Sequence, residues 1–140
     1  VLSIREFQPD DRQATIAVWE RCDLVVPWND PLRDIARKMQ VGRELFLVGC
    51  VAGEVVATVM GGYEGHRGWI NYLAVDPDHR RRGYAESLVR ELEIRLIAIG
   101  CPKVNLQVRA SNSAVLAFYE KIGYSQDANV SLGKRLIPDQ

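Results

Sequence analysis

The sequence predicts an α/β (α+β) domain, a mixed sheet flanked by helices, and three observations carry that expectation. Short apolar or alternating runs at 2–7, 45–51, 55–60, 69–75 and 104–109 have the period and composition of strands. Among them lie helical patterns, two of which run out at glycines, Gly100 and Gly123. The run Arg80-Arg81-Arg82-Gly83-Tyr84-Ala85 joins an apolar strand directly to the longest of these helices.

In order along the chain, Leu2 and Ile4 alternate with Ser3 and Arg5, a short strand. Pro9-Asp10-Asp11 offers a helix start, and Ala14, Ala17, Val18 and Cys22 make one helical face with Trp19 beside it. Residues 24–31, with two prolines, Trp28, Asn29 and Asp30, read as a loop leading into a short helix at 32–39. Ala52-Gly53-Glu54 is a hairpin turn between two β-branched runs. Glycines 61, 62, 65 and 68 then break the chain before the strand 69–75. That strand is apolar on both faces except for Asn71 and the Tyr72 hydroxyl, so it is expected inside the sheet.

The helix 86–99 is expected to bury Ala85, Leu88, Val89, Leu92, Leu96 and Ile99. Glu86 with Arg90 and Glu91 with Arg95 are favourable i,i+4 pairs on its wet side. Val104, Leu106 and Val108 alternate with Asn105, Gln107 and Arg109, a strand with one polar face. Ser111, Asn112 and Ser113 are suited to cap a helix through Lys121. Residues 130–136 read as a closing strand with Leu132 and Leu136 on one face, and a short extra strand fits near Tyr124. The expected order is β-α-α-β-β-β-α-β-α-β.

Composition narrows the function. With 140 residues the chain fits one domain, residues 1–140. Its 18 basic residues balance 18 acidic ones, so no overall field favours nucleic acid or an anionic membrane. Three widely spaced cysteines, Cys22, Cys50 and Cys101, suit a reducing compartment. With only His66 and His79, a histidine-rich metal site is not expected. There is neither an apolar run of membrane-spanning length nor an N-terminal leader pattern, and a cytoplasmic location follows as the expectation.

The basic run carries the most chemistry. A helix start presents N–H groups without intrahelical partners and the positive end of the dipole. Gly83 allows close approach to the backbone, and the arginines supply charge-assisted bonds to phosphate oxygens. The same six residues resemble the acyl-CoA-binding signature R/Q-x-x-G-x-G/A of GNAT-type N-acetyltransferases, with Arg80, Gly83 and Ala85 on its specified positions. Farther on, Asn112 followed by Phe118-Tyr119-Glu120-Lys121-Ile122-Gly123-Tyr124 is similar to that family's closing motif. The element order is also the family's, so the resemblance extends over nearly the whole chain. Trp28-Asn29-Asp30-Pro31 and Met60-Gly61-Gly62-Tyr63 resemble its short, stand-alone bacterial members of the YpeA-like kind.

The resemblance implies a mostly antiparallel sheet, acetyl-CoA as acyl donor and a primary amine as acceptor, joined in a ternary complex. It implies a bulge in the strand before the basic turn and a neighbouring strand that splays away. Backbone groups of Leu73, Ala74 and Val75 would then meet the pantetheine arm and the acyl carbonyl. Backbone groups of Arg81, Arg82, Gly83, Tyr84 and Ala85, with arginine side chains including Arg80, would hold the pyrophosphate, and Asn112 would touch the ligand. Tyr119 takes the place of the general acid, since a phenol of pKa about 10 is protonated at neutral pH. Many members carry a glutamate early in the bulged strand, where this chain has Trp69 and Ile70. Glu64 and His66 are the nearest titratable residues, with Glu64 the candidate base. Trp28, Asn29, Asn71 and Arg109 fall on the acceptor side, Asp30 beside them.

Each residue also has a plainer reading. The three arginines make a solvated turn, Tyr119 a core aromatic beside Val115, Phe118 and Ile122, Asn112 a helix cap, Glu64 and His66 loop residues, and Trp28 a plug under a loop. The alternative function is a non-catalytic acyl-CoA-binding or sensor protein of the same fold. The last strand could support a homodimer.

Overall fold

Residues 46–51 are almost wholly apolar, and a strand of that composition must be covered on both sides. The computed structural model, which describes residues 1–139, supplies both covers. The elements are β1 (Ser3–Glu6), α1 (Arg12–Arg21), α2 (Pro31–Lys38), β2 (Phe46–Val51), β3 (Glu54–Tyr63), β4 (Gly68–Val75), α3 (Tyr84–Ala98), β5 (Val104–Leu106) and α4 (Ser113–Lys121). One face of the sheet, with Phe46, Val48 and Met60, packs on Val18 and Trp19 of α1 and Ile35 of α2. The other face, with Leu47, Val59 and Ile70, packs on Leu88, Val89, Leu92 and Leu96 of α3 and Tyr119 of α4. Those four α3 side chains are at most 1% exposed, and each burial stabilises the fold by about 1.5–3 kcal/mol relative to an exposed side chain.

The strands lie in the order β1-β2-β3-β4-β5. Three junctions are antiparallel and β4–β5 is parallel, which makes the sheet mixed and mostly antiparallel, with β4 inside it. Local chemistry sets the joints. Val51 pairs with Glu54 across Ala52 and Gly53, whose φ values of 51° and 81° belong to a tight two-residue hairpin turn. Asp30 caps α2 by accepting the Leu32 N–H at 2.9 Å, with Pro31 pre-set at its first position. Beyond α3, Gly100 takes φ 88° and the Cys101 N–H closes on the Leu96 carbonyl at 3.0 Å.

Two features of β4 position the site. Met60 pairs with Asn71 and Thr58 with Ala74, so Tyr72 and Leu73 together oppose the single residue Val59. This is a β-bulge, and Tyr72 adopts φ 50° within it. The extra residue changes the phase of the strand: Ile70, Leu73 and Val75 face α3, while Tyr72 and Ala74 face α1. Pairing of β4 with β5 covers only Gly68–Val104, Trp69–Asn105 and Ile70–Leu106. Past Ile70 the two strands part.

Several expectations are corrected. In α1 the buried residues are Thr15, Val18 and Trp19, whereas Ala14 and Ala17 are exposed; Trp19 is the largest side chain and takes the core position. Ile99 is 49% exposed because α3 ends at Ala98 and the chain turns away. The last β5 pair is at Leu106, short of residue 109, because the neighbouring strand has diverged. Residues 130–136 form no strand, and neither does Tyr124. Leu132 and Leu136 are 91% and 82% exposed, and β5 with three paired residues is too short an edge to template a long neighbour. The Lys103–Asp127 ion pair (3.0 Å) and the Gln107–Ser131 hydrogen bond hold this segment beside β5 instead. The strand expected to support a dimer is thus not formed among the described residues.

Gly61 marks the closest approach of β3 to α3. A Cβ there would lie 2.3 Å from Leu92 Cδ1 and 3.1 Å from the Leu45 carbonyl oxygen. Leu92 is fully buried and has no free space to move into. Gly61→Ala is expected to lower stability by about 1–3 kcal/mol in urea denaturation, with an unchanged m-value.

Candidate active site

At the end of β4 the chain is anchored before it turns. Asp76 accepts the Asp78 N–H at 2.9 Å and pairs with Arg21 at 2.7 Å, which ties the 3₁₀ turn Pro77–His79 to α1. Arg21 reaches Asp78 as well, at 3.0 Å. The backbone then goes left-handed at Arg81 (φ 64°) and Gly83 (φ 77°), with Arg82 between them outside that region. A backbone of this kind makes concavities lined by N–H groups.

Gly83 is the N-cap of α3 and has no side chain to satisfy the helix start, unlike Asp30 and Asn112 on α2 and α4. The N–H groups of Tyr84, Ala85 and Glu86 therefore lack intrahelical partners at the positive end of a 15-residue helix. Nothing lies within 4 Å of a Cβ built on Gly83, so the space before them is open. The arginine side chains divide. Arg80, exposed like the other two, reaches back along the chain, its Nε donating to the Val75 carbonyl at 3.2 Å and its Nη2 lying 3.5 Å from Cys22 Sγ. Arg82 lies 3.3 Å from His79 Nδ1, and Arg81 is exposed. Leu73, Val75 and Tyr84 pack on the same cluster as Tyr119.

Tyr119 is 6% exposed, edge-on to Phe118 and Tyr124, and its hydroxyl forms no hydrogen bond among the described residues. Burial raises its pKa, so the phenol is held protonated. Asn112 caps α4, accepting the Val115 N–H at 3.2 Å. The Glu64 carboxylate accepts the N–H groups of His66 (2.7 Å) and Arg67, with Trp69 Nε1 at 3.4 Å. The bond from Arg67 first, then that from His66, lowers its pKa. A carboxylate committed to a turn in this way is a weak proton acceptor. Trp28 and Asn71 are exposed, as is Arg109, whose carbonyl accepts the Asn112 N–H at 2.8 Å. Asn29 accepts a hydrogen bond from Arg135. A hollow of about 1240 Å³ lies outside β5; it borders Tyr119 and none of residues 71–85.

Sequence reasoning missed the polar framework behind the bulge. The Thr58 hydroxyl donates to the Tyr72 carbonyl at 2.8 Å and accepts from Trp19 Nε1 at 2.9 Å. The Tyr72 ring stacks on Trp19 at 3.8 Å, and its hydroxyl donates to Asp34 at 2.6 Å. Asp139, with no solvent-exposed side-chain surface, accepts from Arg37 at 2.7 Å and from the Asp30 N–H at 2.9 Å. No local pattern signals these partners, since they lie far apart in the chain.

An uncapped helix start beside a bulged strand that parts from its neighbour is the arrangement the family resemblance implied, and with residues 11–124 matching the acetyltransferase (GNAT) family, the chain belongs to that family. It is 56% identical to an acetyltransferase of Sodalis glossinidius over 140 residues, 99% of each chain, and 54% identical over 139 residues to one of Pectobacterium atrosepticum, again 99% of each. Among solved structures, Ard1 of Thermoplasma volcanium superposes with a TM-score of 0.81 at 26% identity, covering 91% of this chain and 84% of that one. The ribosomal-protein-S18-alanine N-acetyltransferase of Escherichia coli gives 0.78 at 25% identity, covering 91% and 80%.

The Asp139 contact has a defined pH response. The Arg37 hydrogen bond, followed by that of the Asp30 N–H, lowers the carboxyl from its ordinary 3.8 to about 2. A depressed carboxyl stabilises the folded state above its ordinary pKa, and the contribution is lost as pH falls through about 2. Slow hydrogen exchange at the Asp30 amide should therefore persist from neutral pH down past pH 4 and be lost only as the pH approaches about 2. Loss at pH 6 would contradict the assignment.

Proposed function

We propose that the chain transfers an acetyl group from acetyl-CoA to a primary amine by direct attack in a ternary complex. The single observation that carries this reading is the uncapped start of α3, open in front of Gly83 and adjoining the stretch of β4 that β5 leaves unpaired. The N–H groups after Gly83, with Arg81 and Arg82, are suited to hold the pyrophosphate. Arg80 contributes from behind, by holding the Val75 carbonyl. The backbone of Leu73, Ala74 and Val75 takes the pantetheine arm in the gap left by β5, much as a sheet edge takes an added strand, and polarises the acyl carbonyl.

In this reading the amine nitrogen attacks the thioester carbon, the C–N bond forms and the C–S bond breaks. Tyr119, held protonated by burial, gives its proton to the departing thiolate and takes one back from solvent. The amine loses its own proton to solvent, because Glu64 is engaged in its turn. Asn112 serves as the cap of α4 and fixes the start of the helix that carries Tyr119. Trp28, Asn29, Asn71 and Arg109 remain the residues proposed for the acceptor side. No step uses a metal, and the free cysteines suit a cytoplasmic setting.

One observation favours the alternative, a non-catalytic acyl-CoA-binding or sensor protein: the carboxylate of Glu64, the candidate base, is tied up in its own turn. Release of free thiol from acetyl-CoA across a panel of amines separates the two. The panel should include peptides with free N-terminal alanine, the residue named for the Escherichia coli neighbour.

Gly83→Glu places a side chain and a negative charge in the pyrophosphate path at a left-handed position. It is expected to abolish thermal stabilisation by acetyl-CoA, and undiminished stabilisation would remove the donor site from this turn. Tyr119→Phe should reduce turnover by roughly 100-fold while acetyl-CoA affinity stays within about twofold. Equal turnover would exclude Tyr119 as the acid.

A further inference from the structure

The bulged residue Tyr72 is held at three points, and one of them leads out of the core to the far end of the chain. Its carbonyl is fixed by Thr58 and its ring by Trp19, both on β4's α1 side. Its hydroxyl donates to Asp34 Oδ2 at 2.6 Å. The other oxygen of Asp34 faces Arg37 Nη1 at 3.5 Å, one turn farther along α2. Arg37 then grips Asp139 with both Nη atoms, at 2.7 and 3.4 Å. Asp139 also accepts the Asp30 N–H at 2.9 Å, and Arg135 stands 3.9 Å away.

The burial of Asp139 is unusual for its surroundings. Its side chain has no solvent-accessible surface, while the preceding Leu136 and Ile137 are 82% and 66% exposed. The tail is therefore held through its carboxylate and not through apolar packing. Asp139 is covered whereas Arg37 is half exposed, so loss of the Asp139 charge frees the Arg37 side chain to move and releases the geometry of its contact with Asp34.

We propose that Asp139 is a positioning residue for acetyl transfer, acting through Arg37 and Asp34 to hold Tyr72, and with it the bulged backbone that receives the acyl arm. The inference rests on the donor-site reading given above. Tyr72 directly precedes Leu73, and a bulge bent at φ 50° has neighbouring wells to relax into when one of its holds is released. The start of α3 has none of these contacts. Loss of Asp139 thus acts on the arm and not on the pyrophosphate.

This separation gives the test. Acetyl-CoA and 3′-phosphoadenosine 5′-diphosphate, its nucleotide half without the arm, are titrated by calorimetry into wild type, Asp139→Asn, Tyr72→Phe and the double variant. Each single variant should bind acetyl-CoA roughly five- to tenfold more weakly and the nucleotide within about twofold of wild type. The double variant should be no weaker than the worse single one, as expected for groups acting in one network. Tyr72→Phe keeps its ring on Trp19 and serves where Asp139→Asn does not fold. Undiminished acetyl-CoA affinity in the single variants, equal losses for both ligands, or additive losses would overturn the positioning role. A wild type that binds acetyl-CoA no better than the nucleotide would instead remove the donor-site reading, and this inference with it.

Discussion

The left-handed turn of the backbone at Tyr72 is the constraint on which the rest of the site depends. A bulky residue at φ 50° is costly and persists only where its surroundings hold it. Here the hold comes from Thr58 on the carbonyl, Trp19 against the ring and Asp34 on the hydroxyl. The bulge then shifts the phase of β4, so that Leu73 and Val75 reach the α3 face, and the strand parts from β5 just before it. Without the bulge, simple alternation would put Tyr72 and Ile70 on one face, and the Trp19–Thr58–Tyr72 group could not assemble.

The second element of the site follows from what is missing at the start of α3. The starts of α2 and α4 are capped by Asp30 and Asn112, whose side-chain oxygens each accept one of the free N–H groups. Gly83 offers no such oxygen, and its left-handed geometry leaves the first turn facing open space. The ion pairs of Arg21 with Asp76 and Asp78 fix the turn against α1, so that the end of β4 and the start of α3 share one rigid support. The gap in the sheet and the open helix start thus lie at two ends of one short, braced segment.

Much of this was legible in local sequence. Strict alternation and fully apolar runs marked the strands, and Gly53, Gly100 and Gly123 marked turns and helix ends where φ is indeed positive. Glu86–Arg90 and Glu91–Arg95 form the expected pairs at 3.8 and 2.9 Å. The helix start after the basic run was readable because Gly83, at φ 77°, supplies the left-handed turn that opens α3. Failures came where a distant partner decides the outcome. Residues 130–136 alternate well enough for a strand but have no long edge to pair with. Glu64 lies a few residues before β4, yet two backbone N–H groups of its own turn claim it. The Asp139–Arg37 contact joins residues 102 positions apart and leaves no trace in either local pattern.

The central claim is that the acyl donor lies along the unpaired part of β4 and ends at the first turn of α3. Backbone amide chemical shifts, followed while acetyl-CoA is titrated into the labelled protein, test it directly. The largest changes are expected at residues 73–75 and 81–86. Changes confined instead to the large hollow outside β5, at residues 104–108 and 124–132, would contradict it.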